Sequence, residues 1–136
     1  DGWSSVYWAD YVVNYGGELM TCNIDGPEII ECEKFLRSLF EINPLKTQLN
    51  CICADGVNLI SDDFDLIYLD GGDDPGETTK QFEAARKVRG AILIDDFHMK
   101  GQFIKDKPNI LFKFSNDHKM AFFMNGMGHE EVEIKV

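Results

Sequence analysis

Apolar and polar positions fall in blocks along this chain, and the apolar blocks end in acid. Two blocks are short and nearly continuous: Phe64-Asp65-Leu66-Ile67-Tyr68-Leu69-Asp70-Gly71-Gly72 and Gly90-Ala91-Ile92-Leu93-Ile94-Asp95-Asp96. Runs of this kind read as strands covered on both faces of a parallel sheet. Between them, Pro75 to Arg89 has helical spacing. Strand, helix, strand in that order predicts a right-handed βαβ unit. Both strands then deliver carboxylates to one edge of the sheet, where open α/β sheets bind their ligands. Three acids gathered there cost electrostatic energy unless a cation, a proton or donor groups offset them.

The pattern continues on both sides of this unit. Trp3 to Tyr15 predicts a helix, with Val6, Ala9, Tyr11, Val12 and Val13 apolar and Ser4 as N-cap. Gly16-Gly17 ends it. Glu18 to Ile24 predicts a strand that finishes at Asp25-Gly26, and Pro27 suits the first turn of the next helix. That helix runs to about Phe40 on an inner stripe of Ile29, Ile30, Phe35, Leu36 and Leu39, and Asn43-Pro44 breaks it. Gln48 to Ala54 predicts a strand ending at Asp55-Gly56. A loop after Asp96 carries His98, Lys100 and Gly101. Asn109 to Phe114 and Met120 to Met124 read as an antiparallel pair, because Ser115 to Lys119 has hairpin composition. The tail, Asn125 to Val136, reads as a late edge strand or a dangling end. The order predicts an α/β fold in a single domain over residues 1–136, with a mostly parallel sheet closed by a C-terminal antiparallel hairpin. Successive strands end at Asp25, Asp55, Asp70 and Asp95-Asp96, a regularity that composition alone does not produce.

Composition narrows the function classes. A chain of 136 residues supports one domain with one core. A net charge of −11 argues against binding nucleic acid through phosphates, or an anionic membrane surface. No apolar run approaches the roughly 20 residues of a membrane span, and no signal peptide is visible. Cys51 and Cys53 share one face of a predicted strand, but no second Cys or His pair at zinc spacing follows them. Cys22, Cys32, Cys51 and Cys53 are therefore expected as buried free thiols, which suits a reducing compartment, the cytoplasm.

In this order and spacing the motifs resemble a class I S-adenosylmethionine-dependent methyltransferase entered partway through. Asp1-Gly2-Trp3-Ser4-Ser5 is similar to the last part of that family's Gly-rich loop. Asp25 sits where the ribose-binding acid ends the second strand, and Ala54-Asp55-Gly56 sits where adenine is met. Asp70-Gly71-Gly72 matches the end of the fourth strand, and Gly90 to Asp96 matches the fifth. The match runs to about Met124 and leaves 125–136 as a tail. The metal-dependent small-molecule O-methyltransferases, of the catechol and the macrolide or cephalosporin-tailoring types, are the most similar groups. The chain departs from them in two ways. The family's first strand is absent, and Asp73-Asp74 stands where many relatives carry a His.

The resemblance implies a Rossmann-like methyltransferase fold, S-adenosylmethionine as cofactor, and methyl transfer to a hydroxyl of a small molecule. It implies cofactor contacts at Gly2, Trp3, Ser4, Ser5, Asp25, Gly26, Asp55, Gly56 and Asp70. It further implies a divalent cation such as Mg²⁺ on Asp70, Asp95 and Asp96, an oxygen-only donor set of the kind that ion prefers. His98 or Lys100 would serve as general base, with an exposed loop His and a Lys paired with the acids as the plainer readings.

Each assignment has a plainer counterpart. Asp25 equally reads as the N-cap of the helix after Gly26, Asp55 as a turn residue, and the strand-end acids as caps. Trp3, Tyr7 and Trp8 wall a cofactor or, more ordinarily, belong to the core. The alternatives to an enzyme are a non-catalytic methyltransferase-like interaction domain and a nicotinamide-binding domain. The latter is weakened by the lack of G-x-G-x-x-G. An open sheet edge would also invite pairing with a second copy, a homo-oligomer.

Overall fold

The computed structural model describes residues 3–40, 47–71, 74–104, 110–114 and 120–124. The chain divides into two compact units, Asp1–Asn58 and Leu59–Val136.

The first unit contains α1 (Trp3–Tyr15), β1 (Gly17–Asn23), α2 (Gly26–Leu39) and β2 (Thr47–Cys53), followed by a 3₁₀ turn at Gly56–Asn58. The reversal from α1 into β1 needs left-handed backbone, supplied by Gly16 at φ 83° and Gly17 at φ 129°. β1 and β2 pair in parallel, in register from Gly17 opposite Thr47 to Asn23 opposite Cys53. Their common core is Ala9, Leu36 and Leu49, with Val6, Leu19, Cys32, Phe40 and Cys51 packed around it. The buried stripes are narrower than the apolar pattern predicts. α1 buries Ser5, Ala9 and Val12 and turns Tyr11 outward along with Tyr7 and Tyr15. α2 buries Ile29 and Leu36, while Ile30, Phe35 and Leu39 are about half exposed. Ser4 lies inside the first turn of α1 rather than capping it.

The second unit contains β3 (Leu66–Leu69), α3 (Pro75–Ala85), β4 (Ala91–Ile94), α4 (Phe97–Lys100), β5 (Ile110–Phe114) and β6 (Met120–Met124). The strands lie in the order β3-β4-β6-β5. β3 and β4 are parallel, and β6 runs antiparallel to both β4 and β5. One face of β3 and β4 presents Ile67, Leu69, Ile92 and Ile94, which join Phe82 and Ala85 of α3 with Phe97 and Ile104 in a single core. Pleating sends Leu66, Tyr68, Ala91 and Leu93 to the other face. Asp74 starts α3 by accepting hydrogen bonds on Oδ1 from the Gly76 (2.7 Å) and Glu77 (3.2 Å) amides. The helix stops at Ala85, short of the predicted Arg89. Lys87 and Val88 instead bond back three residues in tighter turns, which brings the Ala91 amide onto the Asp65 carbonyl (2.9 Å) to open β4. Gly90 fits beneath because it lacks a Cβ. An added methyl would collide with the Phe64 carbonyl oxygen.

The architecture is thus mixed α/β, with parallel pairs β1/β2 and β3/β4 and an antiparallel pair β5/β6 where the hairpin is predicted. No helix among the described residues is long and apolar enough to cross a membrane. Gly2, Gly72, Asp73, His118 and the tail over 125–136 lie outside the described residues.

Candidate functional site

Each unit gathers acids at the carboxyl ends of its parallel strands. In the first unit β1 and β2 end level, at Asn23 and Cys53. Asp25 and Asp55 therefore sit at the same offset beyond the aligned pair. Asp25 has extended backbone and accepts the Glu28 amide on Oδ1 (3.1 Å), which caps α2. Asp55 accepts the Val57 amide on Oδ1 (3.0 Å), which closes the turn before the 3₁₀ segment. Each acid thus spends one oxygen on its own turn, and among the described residues the other oxygen accepts no hydrogen bond. The plainer roles of Asp25 and Asp55 as cap and turn residue are both present, and each uses one oxygen.

The two turns rest on each other's strands. Gly26 lies against the Cys53 sulfur, where an added Cβ would stand 3.6 Å away, and Gly56 lies against the Cys22 sulfur at 3.1 Å. Desolvation of its sulfur, aided by the negative charge of Asp55, pushes the Cys22 thiol above its ordinary pKa. All four cysteines are free thiols, but none is fully buried as the sequence predicts: Cys32 and Cys51 are half-buried, and Cys22 and Cys53 lie at the exposed ends of the strands.

In the second unit the edge is built around a tyrosine. Tyr68 lies opposite Leu93 in the β3/β4 register, so Asp95, two residues beyond Leu93, shares its face. The Tyr68 hydroxyl donates to Asp95 Oδ2 at 2.6 Å. Asp95 Oδ1 accepts the Asp96 amide at 2.7 Å. Burial, the bond to Asp95 and the charges of Asp70, Asp95 and Asp96 all hold the Tyr68 proton far more firmly than in a free phenol. Asp96 takes left-handed backbone (φ 50°, ψ 35°), the one non-glycine residue among those described to do so. Asp tolerates this conformation better than most residues. It sits at the N-cap position of α4 without a side-chain cap bond, while its carbonyl accepts the Met99 and Lys100 amides.

α4 occupies part of the predicted loop and separates the two candidate bases. His98 is exposed. Lys100 is 3% exposed, and its Nζ donates to the Asp70 backbone carbonyl at 2.5 Å, tying α4 to the end of β3. The ion pairs among the described residues, Arg37–Glu33 and Arg86–Glu83, involve neither edge.

The remaining expected cofactor residues fall as follows. Ser5 is buried, with its hydroxyl on Thr21 Oγ1 (3.1 Å), so it fastens α1 to β1. Ser4 and Trp3 lie in the first turn of the same helix. Tyr7 is exposed and Trp8 half-buried, so neither is a fully buried core residue.

Asp70, Asp95 and Asp96 come together around Tyr68, yet among the described residues no group of three His, Cys, Asp or Glu side chains is arranged to hold a metal ion. Tyr68 is the site residue that reading the sequence for acids overlooks. Its signal is present: a phenol in an aliphatic strand, two positions before Asp70 and so on the same face. No protein-family model, curated protein or solved structure matches the chain.

Proposed function

We propose that this chain is a methyltransferase domain that binds S-adenosylmethionine and serves transfer of its methyl group to a hydroxyl of a small molecule. The observation that carries the reading is the pair of acids, Asp25 and Asp55, at equal offset beyond the level ends of two adjacent parallel strands, each with one carboxylate oxygen that accepts no hydrogen bond among the described residues. Carboxylate oxygens are acceptors only, and a nucleoside offers hydroxyl and amino donors to match them. The glycines that follow them, Gly26 and Gly56, keep side chains out of the way of a ligand approaching the turns. The acceptor chemistry of this edge therefore suits the donors of an adenosine moiety.

When bound, S-adenosylmethionine supplies a methyl group on a positively charged sulfur. Asp25 would accept from the ribose hydroxyls and Asp55 from the adenine amino group. Of the two candidate bases in the second unit, Lys100 is buried with its nitrogen on the Asp70 carbonyl, and His98 is exposed. No step is routed through the Mg²⁺ implied by the resemblance, since among the described residues no group of three His, Cys, Asp or Glu side chains is arranged to hold a metal ion.

A second reading, a non-catalytic interaction domain, is favoured by the aromatic stripe of α1. Tyr7, Tyr11 and Tyr15 are 75%, 56% and 78% exposed. Calorimetric titration of the chain with S-adenosylmethionine, with NAD and ATP in parallel, separates these readings. Saturable binding of S-adenosylmethionine alone supports the proposal. Binding of NAD alone moves the chain to the nicotinamide class, and binding of none leaves the interaction domain.

A further inference from the structure

Two half-buried thiols meet where α2 packs on β2, away from the acid edges. Cys32 belongs to the helix and Cys51 to the strand, and both pack against the core of Ala9, Leu36 and Leu49. Two contacts fix how the helix lies along the strand. At one end Gly26 lies against the Cys53 sulfur, 3.6 Å from where a Cβ would stand. At the other, Arg37 Nη2 donates to the Leu49 carbonyl at 3.4 Å, next to the core that Leu36 and Leu49 share. α2 therefore runs antiparallel to β2. From the first contact, Cys32 lies about 9 Å along the helix at its rise per residue. Cys51 lies about 7 Å back along the strand at its own rise. The two cysteines are thus level to within about 2 Å along their common direction. The electrostatics agrees, since Cys32, Glu33 and Arg37 of α2 all act on the Cys51 thiol, Cys32 by side-chain hydrogen bonding as well as by charge. The other two cysteines are placed elsewhere. Cys22 lies opposite Ile52 in the register, so pleating sends it to the face away from Cys51. Cys53 shares the face of Cys51 but sits at the far end of the contact, against Gly26.

We infer that Cys32 and Cys51 close to a reversible disulfide when the chain meets a small-molecule disulfide oxidant, and that this bond clamps α2 to β2. The pairing stands whether or not the chain binds S-adenosylmethionine. Burial pushes the Cys51 thiol up to about 11, so little of it is thiolate at neutral pH and the first attack falls to Cys32. The Cys32 thiolate attacks one sulfur of the oxidant, the oxidant's S–S bond breaks, and its other half leaves as a thiolate that takes up a proton. Cys51 then loses its proton and attacks the Cys32 sulfur, and the second half leaves as a thiol. Two protein thiols are oxidised by two electrons, and one oxidant disulfide is reduced to two thiols. The level placement of the sulfurs makes the second step intramolecular. α2 begins directly after Asp25, and β2 ends at Cys53, just before the turn that holds Asp55. The bond therefore staples together the two elements that carry these acids.

Oxidised glutathione is the probe, applied to the whole chain at neutral pH, folded and in concentrated urea. Products are trapped with acid and mapped by peptide mass spectrometry. The variants are Cys32→Ser, Cys32→Ala, Cys51→Ser and Cys51→Ala, each checked for folding by circular dichroism. The folded chain is expected to lose two hydrogens in a peptide pair that joins Cys32 to Cys51, and dithiothreitol should restore them. That link should outnumber every other pairing by at least about ten-fold, because thiols held level have a higher effective concentration than thiols on opposite faces. In urea the lead should disappear. All four variants should lose the link, and the Cys51 variants should hold glutathione on Cys32. If the folded chain carries glutathione without a Cys32–Cys51 link, or shows the same mixture of pairings as in urea, the inference is overturned. An intrachain link that persists in the Cys32 variants identifies a different pair and overturns it as well.

Discussion

Replacing Asp25 by Ala, Asn and Ser separates a helix cap from a ligand contact. In the structure Asp25 Oδ1 accepts the Glu28 amide at 3.1 Å, and the Asp25 carbonyl accepts the Ile29 amide at 3.1 Å. Only the first of these bonds depends on the side chain. Loss of an N-cap acceptor typically costs about 0.5–2 kcal/mol. The bond here is long and the residue exposed, which puts Asp25→Ala in the lower half of that range. Asn and Ser keep a side-chain oxygen in reach of the amide and should cost only a few tenths. Asn also gives up the carboxylate's interaction with the α2 dipole, a further few tenths at an exposed helix end.

Ligand binding should follow a different order. A hydrogen bond to a charged group contributes about 1.5–3 kcal/mol, so losing the carboxylate should weaken S-adenosylmethionine by roughly ten- to hundred-fold. All three substitutions lose it. Urea unfolding followed by circular dichroism gives the first quantity and calorimetry the second. The expected signature is a stability loss largest in Asp25→Ala and an affinity loss shared by all three. If affinity instead tracks stability, with Asn and Ser binding like the unchanged chain, the carboxylate is a cap alone and its ribose role is wrong. If Asp25→Ala unfolds like the unchanged chain, the capping argument is wrong.

Two more outcomes follow from the packing. Gly90→Ala forces a methyl against the Phe64 carbonyl oxygen and within 3.3 Å of the Asp65 carbonyl oxygen, where only backbone can give way. Its denaturation midpoint should fall by the equivalent of about 1–3 kcal/mol, and a change below a few tenths would show that the Phe64–Gly90 crossing is looser than described. Burial, with Cys32 and Glu33 adding to it against the pull of Arg37, pushes the Cys51 thiol up to about 11 from 9.0. At pH 8 its thiolate fraction is then about a hundred-fold below that of an unperturbed thiol, and residue-resolved alkylation should find it correspondingly slow. Because the folded-state pKa lies above the unfolded one, the stabilisation from Cys51 is fully present below about pH 9 and lost as pH rises toward 11. Alkylation at the rate of a free thiol, or stability flat across that window, would contradict the burial.

The strand-end acids were legible in the sequence because a buried strand is an uninterrupted apolar run, and the residue that stops the run marks the sheet edge. β3, β4 and the turn acids Asp25, Asp55, Asp70 and Asp95 all follow from that rule. The Tyr68–Asp95 bond was not legible. It depends on Leu93 lying opposite Tyr68, and register is a property of two strands that neither displays alone. α4 escaped notice because four residues carry no period. The stripe of α2 was overread for a geometric reason. Ile29, Cys32 and Leu36 fall along one line of the helix, while Ile30 is rotated by about 100° from Ile29 and reaches solvent. On α1 the Tyr7-Tyr11-Tyr15 line has the spacing of a buried stripe, but the face opposite it carries Ser5, Ala9 and Val12, whose smaller side chains let the helix sit close to its strand.

The seating of each Asp-Gly turn on the other strand's cysteine makes the two acids a coupled pair rather than independent parts. A bulkier side chain or an alkyl group at Cys22 would press on Gly56 and lift Asp55, and the same change at Cys53 would press on Gly26 and lift Asp25. Swapping either turn for a loop of another shape would therefore require a compensating change on the neighbouring strand. A thiol-modifying electrophile could disturb the spacing of the two carboxylates without touching either of them.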